Sequence, residues 1–152
     1  MEKKRGFEVA KGWENKNINM PVRKTKYSAG YDIEAAENII IPAYKPGMNP
    51  TLISTGLKAY MQDDEVMLLY NRSSNPKKKG LVLANGVGVI DKDYYGNSDN
   101  DGHFMFAVYN IKEDDVEVKK GECIGQAIFQ KYLVTDNDDA QGERMGGFGS
   151  TN

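Results

Sequence analysis

The stretch best suited to carry chemistry is residues 86–96, where a small, glycine-rich apolar segment leads into a turn with two carboxylates and two tyrosines. Gly86 and Gly88 have no side chains, so a flat ligand could approach the backbone closely. Asp91 follows the segment, and a carboxylate held on a rigid strand could activate water as a general base. An ordinary acidic turn between strands has the same composition, so the stretch alone leaves both interpretations open.

Arg72, Ser73 and Ser74 form a second candidate, because an arginine fork, two hydroxyls and the free amides of a turn together match phosphate oxygens. A helix cap beside a surface arginine explains the same tripeptide. The lysine run at 77–79 is expected to be a solvated face, although it could raise the local potential for an anionic ligand. Gln126, in the segment 121–126 (GECIGQ), could place an amide near a phosphate or pair across a sheet.

His103 is the only histidine and Cys123 the only cysteine. This excludes a multi-histidine metal site and a Ser-His-Asp triad within the chain. His103 is expected to be a strand or turn residue, and Cys123 a small buried hydrophobe. A lone cysteine cannot form an internal disulfide, which fits a reducing cytosol.

Length and composition indicate one globular domain. The chain has 152 residues, of which 39% are hydrophobic, so its core is thin and partner subunits could help to cover it. A net charge of −2 argues against a generally basic nucleic-acid binder. No apolar run approaches the ~20 residues that span a bilayer, and no apolar signal segment follows the basic start. We therefore expect a cytoplasmic protein that binds neither nucleic acid nor membrane.

Glycine, proline and Asn-Asp clusters divide the chain into short intervals rich in β-branched and aromatic residues. The predicted strands are 7–9, 31–34, 39–41, 51–57, 57–61, 66–70, 81–84, 87–90, 103–110, 116–118 and 122–130. Their spacing of roughly 8–12 residues predicts an all-β sandwich or barrel, and 103–110 is apolar on both faces. One helical turn is expected at 74–80, with Asn75 as a cap, Pro76 at the first helical position and Gly80 at the end.

The composition changes at Asp136, which divides the chain into a domain at 1–135 and a tail at 136–152. The tail is almost free of apolar residues, as a disordered end would be. Phe148 nevertheless stands among four nearby glycines, which suggests a segment that becomes ordered on something.

Five ordered stretches together resemble the motifs of the homotrimeric deoxyuridine triphosphatases (dUTPases). They are residues 29–33 (AGYDI), 72–74 (RSS), 85–96 (NGVGVIDKDYYG), 121–126 (GECIGQ) and 146–151 (GGFGST). The resemblance extends from about residue 20 to the end, and the third and fifth stretches are its most specific parts.

The resemblance implies a distorted jelly-roll β-barrel with at most one short helical turn, assembled into a threefold trimer. Each active site would be built from three chains, with the glycine-rich arm 136–152 closing the site of a neighbouring subunit. The implied reaction is hydrolysis of dUTP to dUMP and pyrophosphate, which supplies dUMP for thymidylate synthesis and keeps uracil out of DNA. Mg²⁺ would be bound mainly through the triphosphate and waters, with no direct protein ligand.

The resemblance also assigns roles to individual residues. Asp91 would orient and deprotonate the water that attacks the α-phosphorus in line. Asn85 and the nearby backbone would read the uracil, the narrow hairpin 84–88 would exclude a 5-methyl group, and Tyr94 would pack under the deoxyribose. Asp32 would support the metal–water shell or a neighbouring arginine. The other substrate-binding residues would be Arg72, Ser73, Ser74 and Gln126 on phosphates, Arg144 and Ser150 as the triphosphate clamp, Phe148 stacked on the base, and Gly88, Val89, Ile90, Met105 (through its main chain) and Gly149.

Some positions depart from the family pattern. Asn71 precedes the Arg-Ser-Ser where proline or glycine is usual, Arg144 lies four residues before Phe148 where five is commoner, and the final residue is Asn152 where glycine is usual. Residues 97–102 (NSDNDG) look like an insertion, expected to be a solvated loop near the site that could contact a partner.

Two other functions share this framework. Deaminases of dCTP have the same fold and place a glutamate for attack at the pyrimidine C4, whereas the third stretch of this chain ends in residues 90–94 (IDKDY), the hydrolase form. A dUTPase-like regulatory protein would bind its partner through a surface loop such as 97–102, although Asp91, Arg72 and Phe148 are those of an active hydrolase.

Overall fold

Short antiparallel strands make up nearly all the regular structure of residues 2–149, the part of the chain that this computed structural model describes. The strands of these residues are β1 (Gly6–Val9), β2 (Tyr31–Glu34), β3 (Ile39–Ile41), β4 (Thr51–Ser54), β5 (Leu57–Tyr60), β6 (Glu65–Tyr70), β7 (Leu81–Leu83), β8 (Gly88–Asp91), β9 (Met105–Asn110), β10 (Val116–Val118) and β11 (Cys123–Lys131). A helix, α1 (Asn75–Lys79), and a 3₁₀ turn, Lys92–Tyr94, complete the set. The all-β prediction is confirmed.

The strands form four antiparallel sheets. The largest has the order β2-β11-β6-β8 and a second has β4-β9-β7, while β1 pairs with β5 and β10 with β3. The main error in the predicted strands is at 51–57, which ends at Ser54. The chain leaves the sheet there because Thr55 Oγ1 donates to the main-chain O of Phe104 over 2.6 Å and Gly56 adopts a φ of 72°.

The core lies around β9, whose apolar character on both faces is confirmed. Phe106, Ala107 and Val108 are buried, and β9 is flanked by β4 and β7. Phe106 is 1% exposed, and a Cβ at Gly125 of β11 would lie 2.4 Å from its ring. Burial of such a side chain stabilises the fold by ~1.5–3 kcal/mol. Gly125, in the stretch 121–126, is therefore needed for packing of the core.

Helix α1 begins differently from the prediction. Ser74, not Asn75, occupies the N-cap, and Ser74 makes no side-chain cap hydrogen bond. Asn75 is 3% exposed, and its Nδ2 donates to the main-chain O of Ile124 over 2.9 Å. Its side chain is used to join the helix to β11, which spacing along the sequence could not show. The helix ends at Gly80 with a φ of 69°, as predicted.

The predicted hairpin 84–88 is a crossing between two sheets. β7 pairs with β9 and β8 pairs with β6, so the turn carries the chain from the three-stranded to the four-stranded sheet. Gly86 has a φ of 74°, which permits the turn. Gly88 lies so close to β6 that a Cβ there would be 3.0 Å from Leu69 Cβ. Local propensity predicts the turn, but strand pairing decides what it joins.

Residues 132–149 contain neither strand nor helix. Among the described residues, no helix has the length and apolarity needed to cross a membrane.

Candidate active site

A cavity of about 190 Å³ lies where the 84–87 turn, β8, the start of β9 and the C-terminal segment meet. It is the place to which the structure brings most of the predicted site residues. Those in its wall are Asn85, Gly88, Val89, Ile90, Asp91, Tyr94, Met105, Arg144 and Phe148.

Asp91 is the last residue of β8 and directly precedes the 3₁₀ turn Lys92–Tyr94. Its carboxylate is about half exposed, and Oδ2 lies 2.6 Å from Arg144 Nη2. Nε of the same guanidinium donates to Asp93 Oδ1 over 2.7 Å. Charge-assisted bonds of this length are strong ones. The turn thus places two carboxylates so that one arginine bridges them.

Tyr94 forms the buried wall of the cavity and is 5% exposed. Burial raises the pKa of its phenol, so it remains neutral around pH 7. Its hydroxyl donates to the main-chain O of His103 over 2.9 Å and accepts from Asn100 Nδ2 over 2.6 Å. The ring is therefore anchored at its polar end, and the residue lines the cavity.

The loop 97–102, predicted to be solvated, is only partly so. Asn97 is 8% exposed, and its Oδ1 accepts the main-chain N–H groups of Asp99 and Asn100. Asp101 Oδ2 pairs with Lys58 Nζ at 2.8 Å and accepts the Lys11 N–H at 2.9 Å. The prediction was wrong in part because Asn97 and Asn100 accept the loop's own main-chain N–H groups and Asp101 pairs with Lys58, which polar composition alone does not reveal.

The C-terminal segment packs onto the cavity of its own chain. Arg144 Nη1 donates to the main-chain O of Gly146 over 3.0 Å, and Gly146 is buried beside Asp99. Phe148 is 67% exposed at the cavity, with a φ of 51°, which is uncommon for a bulky residue. Gly149 is the last described residue. Ser150, predicted to clamp the triphosphate, lies outside the described residues.

The other predicted phosphate-binding residues lie apart from this cavity. Gln126 of β11 is opposite Asp32 of β2 and Tyr70 of β6, and its Nε2 donates to the main-chain O of Asn71 over 3.2 Å. Arg72, Ser73 and Ser74 follow the end of β6 directly. None of these residues lines the Asp91 cavity.

The separation follows from the register of β6. Asp91 is opposite Val66 near the start of that strand, whereas Arg72 comes after its last residue, Tyr70. At ~3.4 Å per residue, Val66 and Tyr70 are roughly 14 Å apart along the strand. One chain therefore presents the base candidate and the Arg-Ser-Ser stretch at opposite ends of the same strand.

His103 and Cys123 lie outside the cavity. His103 Nε2 accepts the Gly56 N–H over 2.9 Å, and burial lowers its pKa to about 4, so it is neutral at pH 7. Cys123 is half-buried rather than buried, and its burial raises the thiol pKa. Within residues 2–149 no three or more His, Cys, Asp or Glu side chains are grouped to hold a metal ion.

Sequence analysis missed the residues that support the site. Asn100 and Asn97 bond Tyr94 directly, and Asp93 shares Arg144 with Asp91. The alternation of Asn and Asp before Gly102 is a turn signal that could have indicated an ordered loop.

Comparison with known proteins adds independent information. A family model described as dUTPase matches residues 16–152. A deoxyuridine 5'-triphosphate nucleotidohydrolase from Lactococcus lactis subsp. lactis is 55% identical over 149 residues, covering 97% of each chain. One from Escherichia coli is 34% identical over 140 residues, covering 88% of this chain and 87% of its own.

Solved structures agree with the fold. The crystal structure of dUTPase from Streptococcus mutans has a TM-score of 0.80 and 44% identity, covering 87% of this chain and 99% of that one. A dUTPase from phage phi11 of S. aureus, only 17% identical, has a TM-score of 0.70; the match covers 92% of this chain and 97% of that one, a likeness of fold alone. The expected fold of the dUTPase type is confirmed.

Proposed function

We propose that this chain, which belongs to the dUTPase family and hydrolyses dUTP to dUMP and pyrophosphate, uses Asp91 as the base that activates the attacking water. The observation that carries the proposal is the half-exposed carboxylate at the rigid end of β8, on the wall of the cavity. Water gives a proton to Asp91 and its oxygen bonds to the α-phosphorus. The bond from that phosphorus to the bridging oxygen breaks, and pyrophosphate leaves with the electron pair.

The cavity wall supplies the selectivity for the nucleoside. Asn85 and the main chain of Gly88, Val89 and Ile90 contact the uracil, with the main chain of Met105 behind it. Backbone cannot retreat from a 5-methyl group as a flexible side chain could. Tyr94 lies under the deoxyribose, and Phe148, exposed at the cavity, covers the base by stacking.

The triphosphate is held by Arg72, Ser73, Ser74 and Gln126 from one side and by Arg144, Gly149 and Ser150 from the other. Mg²⁺ is the proposed cofactor, bound through phosphate oxygens and water. When bound, it neutralises triphosphate charge. The carboxylate of Asp32 fits an outer-shell role, since it is a hard oxygen donor opposite Gln126 that remains partly exposed beside Lys24, 3.9 Å away. Positioning and charge neutralisation then supply most of the catalysis.

A homotrimer would complete the site. Asp91 and Arg72 lie at opposite ends of β6, and in the proposed trimer neighbouring copies would bring these two ends together around one nucleotide. Exposed apolar residues follow β11 directly, with Leu133 97% and Val134 65% exposed, as expected of a surface that another copy covers. Residues 1–135 would form the barrel and 136–152 the arm. Whether the arm serves its own chain or a neighbour is tested by the mixing experiment below.

The alternatives give different products. A dCTP deaminase would release ammonia and leave the triphosphate intact. A purely regulatory protein, binding a partner through the 97–102 loop, would turn over neither nucleotide. Cytoplasmic location and the absence of nucleic-acid and membrane binding remain predictions.

The decisive experiment measures turnover of dUTP, dCTP and dTTP with Mg²⁺, with detection of pyrophosphate and ammonia. We expect pyrophosphate from dUTP alone. Ammonia from dCTP, or no turnover of dUTP by folded protein, would refute the proposed function.

A further inference from the structure

The position of the Tyr94 ring is set by the segment that follows it. Asn100 Nδ2 donates to the Tyr94 hydroxyl over 2.6 Å, and the hydroxyl donates to the main-chain O of His103. We propose that Asn100 is a positioning residue that holds the Tyr94 ring against the deoxyribose and thereby sets the preference for dUTP over UTP. This inference rests on the role proposed for Tyr94 above.

The orientation of the Asn100 amide is determined by its surroundings. Its Oδ1 accepts the Gly102 N–H over 3.1 Å, and a main-chain N–H can only donate. Asn97 Nδ2 donates to the same oxygen over 2.9 Å. The Nδ2 of Asn100 must therefore face Tyr94, where the phenol oxygen has a lone pair free because its proton points to His103. Asn100 Nδ2 also lies 3.4 Å from the main-chain O of His103, so the amide and the phenol share that acceptor.

Asn100 is itself fixed in the loop. Its main-chain N–H donates to Asn97 Oδ1 over 3.1 Å, and Asn97 Nδ2 also donates to the main-chain O of Tyr94 over 2.6 Å. Asp101 ties the next position to Lys58. Because both the backbone and the side-chain oxygen of Asn100 are held, its Nδ2 can fix the position of the Tyr94 hydroxyl.

The other side of the ring faces the arm. A Cβ at Gly147 would lie 2.8 Å from Tyr94 Cε1, so the ring is packed between the 97–102 loop and residues 146–147. Loss of the bond from Asn100 removes one of the two hydrogen bonds that fix the tilt of the ring, and only the bond to His103 O remains. A tilted ring contacts the deoxyribose less closely and leaves room for a 2′-hydroxyl. Loss of the Asn100 side chain should therefore lower kcat/KM for dUTP more than it lowers kcat/KM for UTP.

The test compares kcat/KM for dUTP and for UTP in Asn100→Ala, Asn100→Asp and wild-type protein. We expect the dUTP/UTP ratio to fall at least about fivefold in Asn100→Ala, the scale of one lost hydrogen bond. Asn100→Asp should retain more of the ratio, because a carboxylate oxygen still accepts the Gly102 N–H and the phenol can turn its single proton from His103 O to the other carboxylate oxygen. Asn38→Ala is the matched control: its exposed side chain accepts the Lys120 N–H far from this network, and its ratio should equal that of wild type.

Tyr94→Phe breaks the same hydrogen bond from the other side, and should also lower the ratio. Adding Asn100→Ala to it should then change the ratio no further. Emission from Trp13, the single tryptophan, whose ring lies 5.1 Å from that of His103 at an angle of 41°, reports whether the loop is intact. An unchanged ratio in folded Asn100→Ala overturns the inference. If that variant does not fold, an unchanged ratio in Tyr94→Phe overturns it. A wild-type protein that does not turn over dUTP refutes the proposed function instead.

Discussion

The guanidinium of Arg144 lies 2.6 Å from the carboxylate of Asp91, so the proposed base and the C-terminal segment form an ion pair. Arg144 is 17% exposed and also bonds Asp93, which keeps the guanidinium over the cavity. A triphosphate carries more charge than either carboxylate and should compete for Arg144. We therefore expect nucleotide binding to release Asp91 from this ion pair, which leaves its carboxylate free to activate water.

Asp91→Asn should abolish the base while preserving the shape of the side chain. We expect dUTP binding to survive and turnover to fall by ~10²–10⁴ or more, the contribution of a general base. Steady-state kinetics and equilibrium binding measure the two effects separately. Asp93→Asn is the comparison, because it removes the negative charge beside Arg144 but leaves Asp91, and it should lose much less turnover. Near-normal turnover in Asp91→Asn would contradict the assignment.

Gly147→Ala should displace the arm. Its Cβ would meet the Tyr94 ring at 2.8 Å, a distance that requires something to move. Because the arm carries Arg144 and Phe148, we expect a loss of kcat/KM for dUTP of at least about tenfold, with the barrel still folded. Gly142→Ala is the control, since it introduces a methyl group with no atom within 4 Å. Equal activity of the two variants would show that the arm does not close on Tyr94.

Deletion of residues 146–152 should leave the fold intact, because the only large apolar group removed is Phe148. The deletion should lower activity, because Phe148 is the ring proposed to stack on the base. Mixing these truncated chains with Asp91→Asn chains then tests sharing between subunits. If one chain's arm closes a neighbour's cavity, mixed trimers should recover part of the activity. Mixed trimers that form and stay inactive would show that the arm closes the cavity of its own chain, where Arg144 pairs with Asp91.

Acid should destabilise the protein through His103. Its pKa is about 4 in the folded state against 6.5 for the unfolded chain, because burial disfavours the charged ring. The stabilisation is fully present above pH 6.5 and is lost as the pH falls towards 4, since only the unfolded state takes up the proton. The loss is roughly 3 kcal/mol, from ~1.4 kcal/mol per pKa unit.

Urea unfolding at fixed protein concentration between pH 7 and 4.5 measures this loss. His103→Gln does not titrate, and its amide oxygen can still accept the Gly56 N–H. The variant should lose less stability than wild type over this range, and parallel losses would contradict the role of His103.

The groups that line the cavity should determine which nucleotide is hydrolysed. We expect kcat/KM for dUTP to exceed the values for dTTP, dCTP and UTP by more than ~10²-fold, the scale that a polar-matched site can reach. A 5-methyl group meets backbone at Gly88, and cytosine inverts the hydrogen-bonding pattern of uracil, leaving buried groups unpaired. The measurement is kcat/KM for all four nucleotides at one Mg²⁺ concentration. Comparable values for dUTP and dTTP would contradict the proposal that the main chain at Gly88 excludes a 5-methyl group.

The sequence by itself determined the strands, the family and most of the candidate site. Short apolar segments between glycine and Asn-Asp turns lead to an all-β fold whatever their partners, since these are local preferences. Asp91, Tyr94 and Phe148 were predictable because their motifs are contiguous, and contiguous residues stay together in any fold.

Only the tertiary structure decided which of these stretches meet. Strand pairing placed Asp91 and Arg72 at opposite ends of β6 and made the 84–87 turn a crossing between sheets. It also gave Asn75 and Asn100 buried hydrogen bonds to groups brought near by the fold. Such partners depend on register and on burial, which are set by the pairing of distant segments and leave no mark in local composition.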